Sequence, residues 1–352
     1  MAATADVAIV GFGIAGATLA HSLIEQRARV VVFDSPDRPA VSRSAGSIAS
    51  VAGLRFGVIE QWQQWWNAAL SVYTEFGVIE PIACYRLVYR ADEQNFWERK
   101  RHALIAEGHA RPAHLPQQLT EAIELPLETI EIVRAAKVHA ASLLDRLAAQ
   151  LDRDGRYVRR TLSACDVEPV GQGYRVAGVE CKHVVFSEGA WMADSRWFGW
   201  IPRMFARGQR IMGVLDRTLT EQPVWLSVAG KSLVVVGDRF TFGSTYDWHS
   251  LEPIVTDEAT AYLSEQLARI LRCGYRVTDA WTGVRPIVAD LRPVVGEHPH
   301  NRGMWIFNGL GSRGLLLAPR LAQLLARRIA GEPVSLGRWD VARFAELLHA
   351  KP

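Results

Sequence analysis

Short apolar runs alternate with glycine-rich or polar breaks along most of the chain. Residues 7–10 form a fully apolar run of the kind that fills a central parallel strand, passing straight into Gly11-Phe12-Gly13-Ile14-Ala15-Gly16. An Ala- and Leu-rich stretch at 15–26 predicts a helix, and 29–33, closing on Asp34, predicts a second strand. From about 60 to 111 the pattern turns helical and aromatic-rich, with Trp62, Trp65 and Trp66 on a core-facing stripe. A strand is predicted at 131–136 and an amphipathic helix at 142–151, carrying Leu143, Leu144, Leu147 and Leu151. Short strands follow near 157, 173–179 and 183–186, the last ending in the turn Ser187-Glu188-Gly189-Ala190-Trp191. Strand-like runs at 210–214, 224–228, 232–236 and 240–244, with turns at Gly230-Lys231 and Gly237-Asp238, predict consecutive hairpins. A helix at 257–271 has Thr256 as its N-cap. The pattern then repeats its opening: strand 304–307, the loop Asn308-Gly309-Leu310-Gly311-Ser312-Arg313-Gly314, and a helix reaching Ile329, with Gly331 just beyond it.

Two strand, glycine-loop, helix units at opposite ends, with a β-rich stretch between, predict that both ends return to one sheet. The length of 352 residues points to two cores rather than one. The fold class expected is therefore α/β, with a discontinuous nucleotide-binding domain at 1–60, 137–203 and 281–352. A substrate domain of antiparallel sheet and helices is expected at 61–136 and 204–280. Composition supports a soluble protein: 49% hydrophobic residues, 22% charged, and a net charge of +3. That excess is too small to indicate a polyanion partner. Four scattered cysteines fit a reducing cytoplasm, and no basic segment precedes the apolar stretch at 7–24 as in a signal peptide. No run reaches membrane-spanning length, so no membrane anchor is expected. The 12 Trp need an account: Trp62, Trp65, Trp66, Trp97, Trp225 and Trp248 fall in the inserted segments and Trp305 in the last strand, mostly as core, with a minority free to wall a site.

The first unit carries chemistry. Gly11 permits a tight turn, Gly13 lets the backbone approach a pyrophosphate, and Gly16 lets helix and strand pack closely. The helix start at Ile14 and Ala15 offers free N–H groups and a positive dipole end to phosphates. Asp34 stands where an acid accepts hydrogen bonds from a ribose. The small, polar run from Ser42 through Ser44, Ala45 and Gly46 to Gly53 suits either a surface loop or a passage beneath a flat cofactor. This fingerprint alone does not separate a nicotinamide from a flavin dinucleotide. A second glycine loop points toward a flavin: Gly311 to Gly314 at a helix start, with Arg313, would supply the helix N-terminus or cation that stabilises a reduced flavin, a phosphate contact or a solvated helix start being the alternatives for Arg313.

With these motifs, Ser44-Ala45-Gly46, the Ser187–Trp191 turn, Arg207-Gly208-Gln209 and the block from Gly283-Val284-Arg285-Pro286 to Gly296, the chain resembles the FAD-dependent amine and amino-acid oxidases. That family includes glycine, sarcosine and D-amino-acid oxidases. Gly309–Gly314 with Ala318-Pro319, and Gly243-Ser244-Thr245-Tyr246-Asp247, look most like the FAD domain of the bacterial tRNA wobble-uridine modification enzyme. The resemblance implies an FAD-binding Rossmann-like domain of the glutathione-reductase type. It implies FAD held by Gly11, Gly13, Ile14, Ala15, Gly16, Asp34, Ser42, Ser44, Ala45, Gly46, Gly189, Gly309, Gly311, Ser312, Arg313 and Gly314. It also implies oxidation of an amine to an imine, with Arg285 pairing a substrate carboxylate and Tyr246 and Trp248 walling the site. Arg285 as an interdomain ion pair, and the two aromatics as sheet core, are the alternatives. No cysteine lies in either late motif, so the flavin is expected to be noncovalent. The sequence opens on the part that resembles the oxidase, so the methyltransferase half of the tRNA enzyme is not expected; Glu188 stands where a small residue is usual, and Val288 replaces a usual Thr. Against a small amine or amino acid stand a modified tRNA base, for which Arg99-Lys100-Arg101 and the trio Arg156, Arg159 and Arg160 are the basic candidates, a flavoprotein without turnover, and an NAD-dependent dehydrogenase. Neither His298 nor His300 has further ligands at metal-site spacing, and no metal is expected.

Overall fold

The computed structural model describes residues 4–38, 40–43, 47–52, 57–228 and 230–348. The chain opens with β1 (Thr4–Val10), α1 (Ile14–Glu25), β2 (Val30–Asp34) and β3 (Ile48–Ser50). Then come α2 (Trp62–Glu75), β4 (Ile79–Pro81), β5 (Ala83–Val88), α3 (Ala91–Glu98), α4 (Arg101–Ala106), β6 (Ala110–Pro112) and α5 (Gln117–Ala122). After β7 (Glu128–Ile132), β8 (Ala135–Val138) and α6 (Ala140–Arg153) lie β9 (Tyr157–Arg159), β10 (Val167–Val170), β11 (Gly173–Val176) and β12 (Val179–Phe186). The hairpin region holds β13 (Ala206–Leu215), β14 (Thr220–Val228), β15 (Lys231–Gly237) and β16 (Arg239–Gly243). Last are α7 (Asp257–Ala268), β17 (Tyr275–Arg285), β18 (Val294–Glu297), β19 (Met304–Asn308), α8 (Gly314–Ile329) and α9 (Ala345–Leu348).

The two ends of the chain do meet in one sheet. β1 pairs in parallel with β2 on one side and β12 on the other, β9 extends it beyond β2, and β19 runs parallel to the second half of β12. Strand alternation makes two cores of it: Val7, Ile9, Val30, Val32, Trp305 and Phe307 face the helices, while Ala8, Val10, Val31, Phe33, Met304 and Ile306 face the other way. The helical side is closed by α1, α6 and α8. α2 packs there too, through Trp65, Ala69, Val72 and Tyr73, so the helix expected in the substrate domain joins the core of the first sheet. Amphipathic spacing says that a face is buried, not against what.

The second sheet has the order β17-β13-β16-β15-β14-β5-β7-β6. It is antiparallel except for the β14–β5 pair, and its far face packs on α5 and α7 through Leu119, Ala122, Leu263 and Leu267. Three expectations change here. The stretch 60–111 is not one helical texture, because β4 and β5 interrupt it; Cys84, Leu87 and Val88 are drawn into the sheet by pairing with β14 and β7. The predicted strand 131–136 is two strands, β7 in this sheet and β8 in a small sheet with β3 and β4. Finally, residues 281–285, expected with the nucleotide-binding segments, continue β17 in the second sheet. The Thr256 cap is present, its Oγ1 accepting from the Ala259 N–H at 3.3 Å. No helix among the described residues is long and apolar enough to cross a membrane.

One hydrogen bond ties α2 to the glycine loop that opens α8. Pro319 lies inside α8 and has no N–H to give to the Leu315 carbonyl four residues before it. The fully buried Tyr73 hydroxyl supplies the missing donor, at 2.6 Å. Tyr73→Phe strands that carbonyl in the core and is expected to cost about 1–3 kcal/mol, read by chemical denaturation against the parent protein.

Candidate functional site

A cavity of about 590 Å³ opens between the carboxyl ends of the parallel strands and the near face of the second sheet. This is where open α/β sheets bind ligands, beside the strand at which the order reverses. β1 ends there in Gly11, whose φ is +96° and whose place admits no side chain, since a Cβ would lie 2.5 Å from the Ser187 carbonyl oxygen. Gly16 is as constrained: a Cβ would stand 2.1 Å from the Gly11 oxygen. These contacts seat α1 against β1 with its N-terminus open to the cavity. The Ser42 hydroxyl accepts from the Ile14 N–H at 3.1 Å, standing in for the side-chain cap that Gly13 lacks. Asp34, at the end of β2, accepts a hydrogen bond from the Tyr157 hydroxyl. Burial, followed by this carboxylate, pushes the Tyr157 phenol up.

The second glycine loop is fixed by Asn308. Its Oδ1 accepts from the Gly309 N–H at 2.8 Å and its Nδ2 donates to the Gly189 carbonyl at 3.0 Å, locking the two turns together. The Gly311 N–H donates to Pro286 O at 3.0 Å. Arg313 takes the N-cap position of α8 and reaches Val51 O at 3.4 Å; burial holds its pKa below the usual arginine value. Val288, fully buried, packs beneath Gly309, where a Cβ would meet its Cγ2 at 2.5 Å.

On the second sheet, the Arg285 guanidinium donates to the Ser244 hydroxyl and, at 3.5 Å, to the Thr245 carbonyl, and lies 4.4 Å from the Tyr246 ring centre. Burial lowers its pKa. Gly208 makes room for it, because a Cβ there would stand 2.3 Å from Nη2. Tyr246 lines the cavity and is 48% exposed. Its loop is anchored by Asp247, whose carboxylate is held below the usual range by the His249 N–H and by Arg207 at 2.7 Å.

Most of the predicted residues come together. Gly11, Gly13, Ile14, Ala15, Asp34, Ser42, Gly189, Gly311, Ser312, Arg313, Gly314, Tyr246 and Arg285 all line the cavity. Gly16 and Gly309 act from behind its wall. Trp248 is not in the wall either; it stacks on Tyr246 with ring centres 6.0 Å apart. Ser44, Ala45 and Gly46 lie outside the described residues. The sequence reading missed Tyr157, Asn308, Arg210, Trp225 and Trp281. No cysteine or histidine is among the described lining residues. His298 caps its own turn, Nδ1 accepting from the His300 and Asn301 N–H groups at 3.1 and 3.2 Å. In the basic clusters Arg101 pairs with Glu98 at 2.6 Å, Arg156 with Asp154 at 3.8 Å, and Arg160 with Asp166, while Arg99 and Lys100 lie over the Phe96 ring and Arg159 over the Tyr157 ring.

Two helix N-termini, a backbone cradle with no room for side chains, and an acid at the end of β2 suit an elongated diphosphate ligand, and the Arg313 end suits a flavin ring. This donor set fits FAD. Glu188 is the outlier. Its Oε2 is buried without a partner, and burial, opposed by Arg38 and a Ser195 hydrogen bond and reinforced by Asp194, pushes its carboxyl up to about 7. A native pKa above the unfolded value means that Glu188 favours folding fully below about pH 4.5 and loses that contribution as pH rises through about 7. Glu188→Gln is therefore expected to flatten the fall in stability of the flavin-free protein across this window, by up to about 3 kcal/mol; parallel melting curves at every pH would contradict it.

A profile described as FAD dependent oxidoreductase (DAO) matches residues 6–328. Glycine oxidase of Geobacillus kaustophilus is 22% identical, the alignment covering 98% of this chain and 97% of that protein. The bifunctional tRNA 5-methylaminomethyl-2-thiouridine biosynthesis protein MnmC of Paracidovorax citrulli is 26% identical over 94% of this chain, but the chain spans only 58% of that relative. In three dimensions the chain is similar to the Geobacillus glycine oxidase structure (TM-score 0.82, 20% identity, 97% and 99% of the two chains). It is also similar to an iminodiacetate oxidase from a Chelativorans species (TM-score 0.77, 20% identity, 95% and 98%). The chain belongs to the FAD dependent oxidoreductase (DAO) family, whose cofactor the donor set of the cradle fits.

Proposed function

We propose that the protein oxidises the carbon–nitrogen bond of a carboxylated secondary amine or amino acid to an imine, which water then hydrolyses. The observation that carries this reading is Arg285, a partly buried guanidinium on the cavity wall whose protein partners are a hydroxyl and a carbonyl rather than an acid. A guanidinium fork so held is suited to a carboxylate. Bound FAD supplies a two-electron acceptor for the hydride that leaves the carbon beside nitrogen. Arg285 and Tyr246 fix the orientation of that carbon, and orientation is a large part of what such a reaction needs from the protein. The near face of the second sheet excludes water from one side of the substrate. Glycine oxidase and iminodiacetate oxidase, which share the fold, act on small carboxylated amines by their names, in keeping with this reading.

Oxidative removal of a carboxymethyl group from a tRNA base is a second reading, favoured by the similarity to the bifunctional tRNA protein. It ranks lower because half of the basic residues expected to contact nucleic acid, Arg101, Arg156 and Arg160, are paired with neighbouring acids. Salt-sensitive retention of tRNA by the purified protein would reverse the order.

The purified protein is expected to be yellow and to bleach anaerobically with N-substituted glycines. Arg285→Ala is expected to lower kcat/KM about 10- to 100-fold, the loss of one charged hydrogen-bonded pair. A flavin that no carboxylated amine reduces would favour a binding protein without turnover.

A further inference from the structure

The second-sheet face of the cavity carries, beside Arg285, another guanidinium for which one substrate carboxylate leaves no role. Arg210 sits in the middle of β13, opposite Trp281 on β17 and Gly243 on β16. Arg285 pairs with Ala206, four residues before Arg210, so strand alternation sends both arginines from the same face of the sheet. The row through Arg210 continues across the sheet as Gly243, Ser232 and Ser227. The next row, Ile211, Phe242, Leu233 and Leu226, points the other way, into the core beneath α7. The glycines repeat a device. Gly208 clears space for the Arg285 guanidinium, and Gly243 clears it for the Arg210 stem, where a Cβ would lie 2.9 Å from Cγ.

Arg210 is only 7% exposed, yet its Nε and Nη2 have no partner, and the side chain lines the cavity. Among the described residues no carboxylate pairs with it; burial, reinforced by the neighbouring charge of Arg285, brings its pKa down to about 10 and leaves it protonated at neutral pH. Trp225 Nε1 and Ser227 Oγ, buried on the same face, are also unpartnered. Arginine and the indole N–H are donors only. A buried cation with unpartnered donors and no anion from the described residues is a strongly unfavourable arrangement unless a ligand completes it.

Resting on the amine-oxidation reading above, we infer that the substrate carries two carboxylates, one on Arg285 and the second, borne on the other substituent of the nitrogen, on Arg210. A substrate with a single carboxylate leaves Arg210 desolvated and unpaired, so Arg210 determines specificity by rejecting it.

The test uses the FAD-loaded protein and a matched series: N-ethylglycine against N-carboxymethyl-, N-(2-carboxyethyl)- and N-(3-carboxypropyl)glycine. Anaerobic flavin reduction is expected to favour at least one dicarboxylate by 100-fold or more in kcat/KM. Arg210→Met is expected to cut that preference at least 30-fold, mainly through KM, with Arg210→Lys retaining part of it. Perturbation of the flavin absorption band gives binding directly, and the preferred dicarboxylate is expected to saturate it at lower concentration in the parent than in Arg210→Met. Equal rates for N-ethylglycine and all three dicarboxylates would overturn this inference and leave amine oxidation standing, as would an Arg210→Met protein that keeps the preference. If no member of the series reduces the flavin, this inference falls; if no free amino acid reduces it either, the amine reading falls too. Should Arg210→Met fail to retain FAD, the preference of the parent protein decides.

Discussion

The close approach of Gly16 to the Gly11 carbonyl governs the rest of the molecule. With no side chain on either residue, α1 lies directly on the end of β1, and its N-terminus opens into the space beyond the strands. The same approach brings Ser187 and Glu188 from β12 alongside, because β1 and β12 run parallel and end together. The loop after β19, the neighbour of β12, then completes the cradle from the far end of the sequence. A side chain at Gly11 or Gly16 separates strand from helix, and every later feature of the site loses its reference.

Onto this fixed frame the second sheet brings charge. Its far face is an ordinary apolar core, and its near face is a polar row broken by glycines, with two arginines that find no carboxylate among the described residues. Isolated buried cations are costly, and a fold retains them where a ligand supplies the counter-charge. The division of labour follows: backbone amides and helix dipoles at one end of the cavity, fixed guanidiniums at the other. Glu188 stands on the cofactor side as a carboxyl raised by burial, partly balanced by Arg38.

What the sequence made legible was local. The run from β1 through Asp34, the α8 loop and the Thr256 cap each depend on residues within a few positions, and the pattern of glycines and apolar residues states them directly. What it hid depended on partners distant in the chain. Tyr157 meets Asp34, and Asn308 meets Gly189, only through pairing across the sheet. Arg210 reads as one polar residue in an apolar run until its strand register puts it on the face with Arg285. α2 announced a buried face but not its destination, and β4 and β5 were masked by the aromatic spacing around them. The Trp excess is partly resolved by the same logic: Trp65 fills the first core, while Trp191, Trp225 and Trp281 wall the cavity.

The central claim is that a carboxylated amine is held by the second sheet with its carboxylate on Arg285. A crystal structure of the FAD-loaded protein, soaked anaerobically with an N-substituted glycine after the flavin has been reduced, tests it most directly. The account predicts both carboxylate oxygens within hydrogen-bond distance of the Arg285 guanidinium and the carbon beside nitrogen facing the flavin. A carboxylate bound elsewhere, with Arg285 still on Ser244 and Thr245 alone, would contradict it.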